Sequence, residues 1–358
     1  MEVKLWKTNI RMGGGQNTYK INPLFKDVKE YNKYLLSLIG IFVLLLTGII
    51  SYNYTNTSYA KWSSSIESKN TIKIYVKAKD NALYFAESNV GTGGLEKVTH
   101  EIDDTLQVDE RFATEYRYRG GNVNNYVTFN NEVWRIIGII PTEDTDGNVE
   151  NRIKIIKDTS IGNKYWNKTE DTTTETYNNW VTGTLNTYLN NDYYNTLTSD
   201  AKNMIGTTKY YLGGYKEASV ISDVMWQYER KNEANRTGYY YVTNPIIQND
   251  ANKKIALMYA SDYGYAASKE CTNSLYKYIS SVNCKTANNW LDKSVTTWLL
   301  PQVSEADRLA FLVNDDGSVY FGNVEYNEYA VRPVLSLSFN VKISSGNGSS
   351  EQPYQLTD

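Results

Sequence analysis

Between Tyr34 and Ile50 the chain reads YLLSLIGIFVLLLTGII, with no charge and no proline. Extended through Ser51–Tyr54 the stretch reaches 21 residues, about 30 Å at roughly 1.5 Å per residue, enough to cross a bilayer. A buried core helix of that length keeps a polar face, so the pattern predicts one transmembrane helix over 34–54. Beyond it the pattern changes. Thr55–Ser68 is polar and reads as a stalk, and Asn70–Lys77 (NTIKIYVK) alternates as a half-buried strand does. From Ala78 to Arg119 the pattern is weak, and 71–119 is expected to be a small β-rich lead-in.

Stronger periodicity begins at Asn125. Tyr126–Phe129 and Glu132–Ile140 flank Asn130-Asn131, a two-residue hairpin turn, and Arg152–Ile156 follows a turn-rich stretch. Three successive antiparallel strands are expected. Val181–Leu197 and Ser199–Ile205 read as helices, Lys254–Tyr259 as a buried strand, and Thr286–Leu299 as a helix or irregular. Leu309–Val313 and Ser318–Phe321 form a hairpin around Asp315-Asp316-Gly317. Ala330–Leu337 (AVRPVLSL) is a late strand that Pro333 confines to an edge or a bulge.

Charge fixes the orientation of the membrane helix. Met1–Lys33 holds seven basic and three acidic residues, a balance of +4; the remaining 30 basic and 37 acidic residues give −7. The positive-inside rule places that segment in the cytoplasm and the C-terminal part outside. The arrangement is a signal anchor; the alternative is cleavage at Ser58-Tyr59-Ala60, a small-x-small pattern. An acidic exterior argues against nucleic acid as a partner. Cys271 and Cys284 are the two cysteines. In an exported chain they read as a disulfide, and in the cytosol as two thiols. The 32 Tyr and 8 Trp supply core volume and favour strands.

At Asn124–Gly138 (NNYVTFNNEVWRIIG) the sequence resembles an uncharacterised family of surface proteins of low-GC Gram-positive bacteria. The matching blocks continue through Arg152–Ile156, Tyr211–Gly214 (YLGG), Lys254–Ala266 (KIALMYASDYGYA), the cysteines, Asn289-Trp290-Leu291 and Ala330–Asp358. The closing hairpin and Val-Arg-Pro-Val strand are also similar to the end of the formylglycine-generating-enzyme and C-type-lectin fold. That resemblance implies an α+β domain over 120–358: a small twisted antiparallel sheet, short flanking helices and long loops. Where such families carry Trp-x-Leu-Arg-Ser-Pro, this chain has Trp298-Leu299-Leu300-Pro301.

Catalytic motifs are absent from the pattern. The single histidine, His100, lies in the lead-in without a nucleophile elbow and reads as solvated. Copper-dependent formylglycine-generating enzymes use a cysteine pair near the C-terminus, but these cysteines precede the closing hairpin. Asp144–Asn148 (DTDGN) lacks the Gly and Glu positions of a calcium loop and reads as a turn, and Asp315-Asp316-Gly317 reads the same way. No metal or cofactor is expected. Trp166, Trp180, Trp226, Tyr239-Tyr240-Tyr241, Tyr263, Tyr265, Tyr326 and Tyr329 lie among Gly and Asn, where aromatic faces suit a glycan, cell-wall or protein ligand; the alternative is that most of them simply pack the loops down. Trp134, Trp290 and Trp298 are expected in the core. Arg332 in an apolar strand needs a partner, with Asp262 and Glu132 as candidates.

The expected function is a membrane-anchored extracellular binding module without catalysis. The alternatives are a carboxylate-dependent hydrolase of cell-wall or glycan material, which needs two close acids in a pocket, and a purely structural envelope element.

Overall fold

The computed structural model describes residues 80–168, 177–230, 247–304 and 306–358. The expected cytoplasmic segment, the membrane helix over Tyr34–Tyr54, the stalk and the Asn70–Lys77 strand lie outside them. Among the described residues no helix is long and apolar enough to cross a membrane. Asp80–Asp358 forms one compact α+β unit of antiparallel sheets and few short helices.

The first sheet grows from the expected three strands. β3 (Tyr126–Phe129) turns at Asn130-Asn131 into β4 (Glu132–Glu143), and β5 (Val149–Lys157) returns antiparallel. Both turn residues have positive φ, 55° and 58°; asparagine tolerates this region, and the turn matches the strand twist. The lead-in is not separate: its described part supplies α1 (Asn81–Asn89), β1 (Leu95–Thr99) and β2 (Thr114–Tyr118). β2 pairs with β4 where Gly138 allows close approach; a Cβ there would lie 2.2 Å from the Tyr116 carbonyl oxygen.

The second sheet runs β11-β10-β9-β12-β6. It contains β6 (Asn163–Tyr165), β9 (Thr297–Gln302), β10 (Leu309–Val313), β11 (Val319–Asn323) and β12 (Glu328–Ala330). The β10–β11 hairpin turns at Asp315-Asp316-Gly317 as expected, with Gly317 at φ +84°. Ala330–Leu337 is not one strand. β12 belongs to the second sheet, whereas β13 (Val334–Ser336) pairs with β5 in the first. Pro333 sits at the crossing. It has no N–H for a ladder, while its carbonyl accepts from Lys157 N at 2.9 Å.

Lys254–Tyr259 is buried but is not a ladder strand; it makes one bridge, Ala256 to Val334. Asn190 replaces the missing pairing, donating to the Ile255 carbonyl and accepting from its N–H, each at 2.8 Å. A π turn (Leu189–Tyr193) aims Asn190 inward, dividing the expected Val181–Leu197 helix into α2 (Thr184–Tyr188) and α3 (Tyr194–Thr196). Next comes α4 (Ser199–Met204), capped by the Thr198 hydroxyl, which accepts from Ala201 N. A two-residue pair, β7 (Tyr210–Tyr211) and β8 (Ile247–Gln248), flanks α5 (Ser222–Arg230), and α6 (Ala260–Ala266) follows. Thr286–Leu299 holds a short 3-10 turn and then the start of β9. A hairpin of β14 (Lys342–Ser345) and β15 (Gln355–Thr357) closes the chain.

Trp134, Trp290 and Trp298 are core residues, as expected. Cys271 and Cys284 are bonded, with Cα atoms 5.0 Å apart and a sequence separation of 13. Closing such a loop removes unfolded-state entropy worth on the order of 3 kcal/mol. Replacing both cysteines with serine is expected to lower the unfolding free energy by about that amount in urea denaturation. An unchanged midpoint would show that the bond does not form.

Candidate functional site

The densest chemistry in the unit lies between the first sheet and helices α5 and α6. Strand alternation puts Glu115 and Arg117 of β2 on one face, opposite Tyr116 and Tyr118. Arg117 Nη1 donates to Asp262 Oδ1 at 2.9 Å, and Lys154 Nζ of β5 donates to Asp262 Oδ2 at 2.6 Å. That same Oδ2 accepts the Tyr259 N–H at 2.8 Å, tying down the start of α6. Arg117 Nε also donates to Glu115, whose other oxygen accepts from Trp226 Nε1 at 2.8 Å. Glu229 accepts from Ser261 through both its backbone N–H and its hydroxyl.

His100 belongs to this cluster and is buried, not solvated. Its ring stacks on Trp226 at 3.6 Å, and its Nδ1 lies 2.6 Å from Asp223 Oδ1. The Tyr265 hydroxyl donates to the same Asp223 oxygen at 3.0 Å.

Burial sets the electrostatics. Desolvation would raise Glu115 and Asp262, but the neighbouring charges and hydrogen bonds outweigh it. Arg117, His100 and Arg230 hold Glu115 well below the usual carboxylate range, and Lys154 and Arg117 hold Asp262 low. For Lys154 desolvation wins over Asp262, and its ammonium titrates below its usual value. Desolvation also wins at Glu229, pushing its carboxyl up to about 7.

Glu115, Glu229 and Asp262 are fully buried, whereas the Asp223 side chain is about one third exposed. A cleft of about 40 Å³ lies beside the cluster, lined by Lys154, Arg230, Glu143, Tyr211 and Tyr259 among others, but not by Glu115, Glu229 or Asp262. That space holds a few waters, not a sugar ring. Its one acid, Glu143, already accepts from Lys209 Nζ at 3.0 Å and from the Tyr211 hydroxyl. Two acids flanking a substrate, as glycoside hydrolysis requires, are not assembled here.

The aromatic candidates fall into three groups. Trp166, Trp180, Trp226, Tyr263 and Tyr265 are buried. Trp166 Nε1 donates to the Leu299 carbonyl at 2.9 Å, and the Tyr263 hydroxyl to the Gly317 carbonyl at 2.8 Å. A buried ring has no face to offer, so these residues hold loops down instead of contacting ligand. Tyr329 packs its ring on Trp298 at 4.9 Å, and Tyr326 is 74% exposed. Tyr240, with Tyr239 and Tyr241, lies outside the described residues.

Arg332 is buried, but neither expected partner holds it. Its Nε donates to the Lys157 carbonyl at 3.0 Å and its Nη1 to the Leu291 carbonyl at 3.1 Å. Desolvation lowers its pKa to about 10, and Asp158 is the carboxylate that opposes the shift. Asp262 is taken by Arg117 and Lys154, and Glu132 pairs with Lys157 at 2.7 Å. In the Asp144 turn, that carboxylate accepts backbone N–H groups of Asp146 and Asn148, each at 2.9 Å. Among the described residues no group of three or more His, Cys, Asp or Glu is placed to hold a metal ion.

Two accessible features were missed by the sequence reading. Tyr276, on the loop closed by the disulfide, is 50% exposed and Tyr320 on β11 is 41% exposed, their rings 5.8 Å apart. A groove of about 380 Å³ lies between α1 and the β14–β15 hairpin, with Phe85, Tyr118, Asn124 and Tyr354 in its lining. No local signal marks the groove, because its walls are more than 200 residues apart in sequence. Comparison with protein-family models, curated proteins and solved structures returns no match.

The raised Glu229 carboxyl predicts a pH dependence. Below its ordinary value of 4.5 both folded and unfolded chains hold the proton, and the stability it contributes is fully present. Between there and about 7 the unfolded chain releases the proton first, so stability falls as pH rises, by on the order of 3 kcal/mol. Glu229→Gln is expected to flatten this limb between pH 5 and pH 7.5 in urea titrations. An unaltered slope would mean that Glu229 titrates as an exposed acid.

Proposed function

We propose that the chain is a membrane-anchored, extracellular recognition module without catalytic activity, taking a glycan, cell-wall or protein ligand. The uncharged Tyr34–Ile50 stretch and its basic leading segment support the anchor. The bonded Cys271–Cys284 pair fits an oxidising exterior. The β10–β11 hairpin, followed by β12 and β13 around Arg332-Pro333, fits the likeness to the C-type-lectin fold and to the Gram-positive surface family.

One observation carries the non-catalytic reading. The acid with a raised pKa, Glu229, is 0% exposed and bonded to Ser261, and neither it nor Asp262 lines the cleft beside the cluster. The accessible features are aromatic rings and amides on rigid supports, which is where a scaffold of this kind places binding. The hydrolase reading retains one point in its favour: Glu229 titrates near neutrality beside a second carboxylate.

A glycan and peptidoglycan-fragment array probed with the soluble part, Lys61–Asp358, tests the choice. Retention of at least one ligand class without any product is expected. Turnover of a glycan that disappears in Glu229→Gln would replace this reading with the hydrolase.

A further inference from the structure

We propose that the groove between α1 and the β14–β15 hairpin binds an uncharged saccharide. This rests on the recognition reading above and names the site and the ligand class.

Both walls are fixed before any ligand arrives. Asp80 caps α1, accepting from Leu83 N at 2.9 Å, and its second oxygen accepts from Asn151 of β5 at 2.9 Å. The hairpin is laced to β3: Tyr126 N donates to the Gly348 carbonyl and Thr128 N to the Tyr354 carbonyl, both at 2.9 Å. Gly348 is required for that approach. A Cβ there would lie 2.2 Å from the Asn124 carbonyl oxygen and 2.4 Å from the Tyr354 ring. Fixed walls spare a ligand the ordering cost that weakens binding to mobile loops.

The lining selects the chemistry. Its twelve residues include no Asp, Glu, Lys, Arg or His. An anionic or cationic ligand would give up its hydration and find no counter-charge. Tyr118 and Tyr354 form a buried floor, and the half-buried Phe85 meets the Tyr354 ring edge to face at 5.4 Å. Phe85 thus offers an apolar surface to the C–H face of a sugar ring.

Polar atoms around that ring are uncommitted. Asn89 Nδ2 donates to the Phe85 carbonyl at 2.8 Å, leaving its Oδ1 open as an acceptor. The exposed Asn124 amide and the Ser345 hydroxyl make no hydrogen bond among the described residues. Amides and hydroxyls both donate and accept, which matches vicinal sugar hydroxyls. The volume, about 380 Å³, lies near the lower end of the range of roughly 300–1,000 Å³ for small-molecule sites. The other open hollow, of about 410 Å³, carries Lys216 and Glu217 and lacks this neutrality.

The test uses the full chain in phosphatidylcholine nanodiscs. The probes are cellobiose, maltotriose and N,N′-diacetylchitobiose, beside a trigalacturonate and a neutral extended peptide, read by calorimetry and saturation-transfer NMR. At least one neutral saccharide is expected to bind, at least ten-fold more weakly in Phe85→Ala and in Asn124→Ala. Lys216→Ala, in the charged hollow away from this groove, is expected to bind as the parent does. Asn124 is exposed, so its variant separates lost binding from lost folding, checked by an unchanged melting midpoint. Preference for the trigalacturonate, or for the peptide added along the β14 edge, overturns the proposal. Absence of binding by all three neutral probes does the same. Saccharide binding that persists in both variants removes the groove and leaves the recognition reading standing. Hydrolysis of a probe removes that reading itself.

Discussion

Asp262 is the residue on which the unit is assembled. One carboxylate receives Arg117 from β2, Lys154 from β5 and the backbone N–H of Tyr259 at the head of α6. It therefore joins the early strands, the central strands and the second half of the chain at one point. A buried ion pair seldom adds net stability, because desolvation offsets the attraction. Its force is in specificity: a slip of β2 by one residue would turn Glu115 and Arg117 away and leave Asp262 and Lys154 in mismatch. The same constraint explains why β1 and β2 are part of the domain and not an appendage to it.

A sealed cluster also decides what the molecule does at its surface. Glu115 and Glu229, two of the groups with displaced titration, are fully buried, whereas Lys154 borders the small cleft. Displaced titration is a signature of active sites, but structural ion networks produce it as well. Open at the surface are the Tyr276–Tyr320 pair, the uncharged groove beside Phe85 and a hollow that carries Lys216 and Glu217.

Local pattern revealed those parts of the fold that depend on neighbours in sequence. The β3–β4–β5 meander and the β10–β11 hairpin follow from alternation plus Asn-Asn and Asp-Gly turns. The Val-Arg-Pro-Val segment misled because its alternation continues across Pro333, whereas the missing N–H lets it change sheets. Ile255 was mistaken for part of a ladder strand because a side chain, Asn190, supplies its hydrogen bonds. Asn and Gly around the loop tryptophans left ligand contact and loop packing both open, and Trp166 and Trp180 pack. Those amides in fact satisfy backbone in a packed interior, as Asn167 does in donating to the Tyr177 carbonyl and Asn186 in donating to that of Trp180. His100 and its partner Asp223 are 123 residues apart, and Arg117 and Asp262 are 145 apart. Periodicity carries no information about such pairs, nor about a groove built from the two ends of the unit.

The claim at the centre of this account is that one closed set of charges holds the domain together and takes no part in its contacts. Carboxyl-carbon NMR across a pH titration of the folded protein tests it directly. The account predicts an Asp262 signal that stays in its ionised position down to acid unfolding, and a Glu229 signal with a midpoint near 7. Both are predicted to be unmoved by added saccharide. Midpoints near 4 for both residues, or a shift of either on ligand addition, would contradict it.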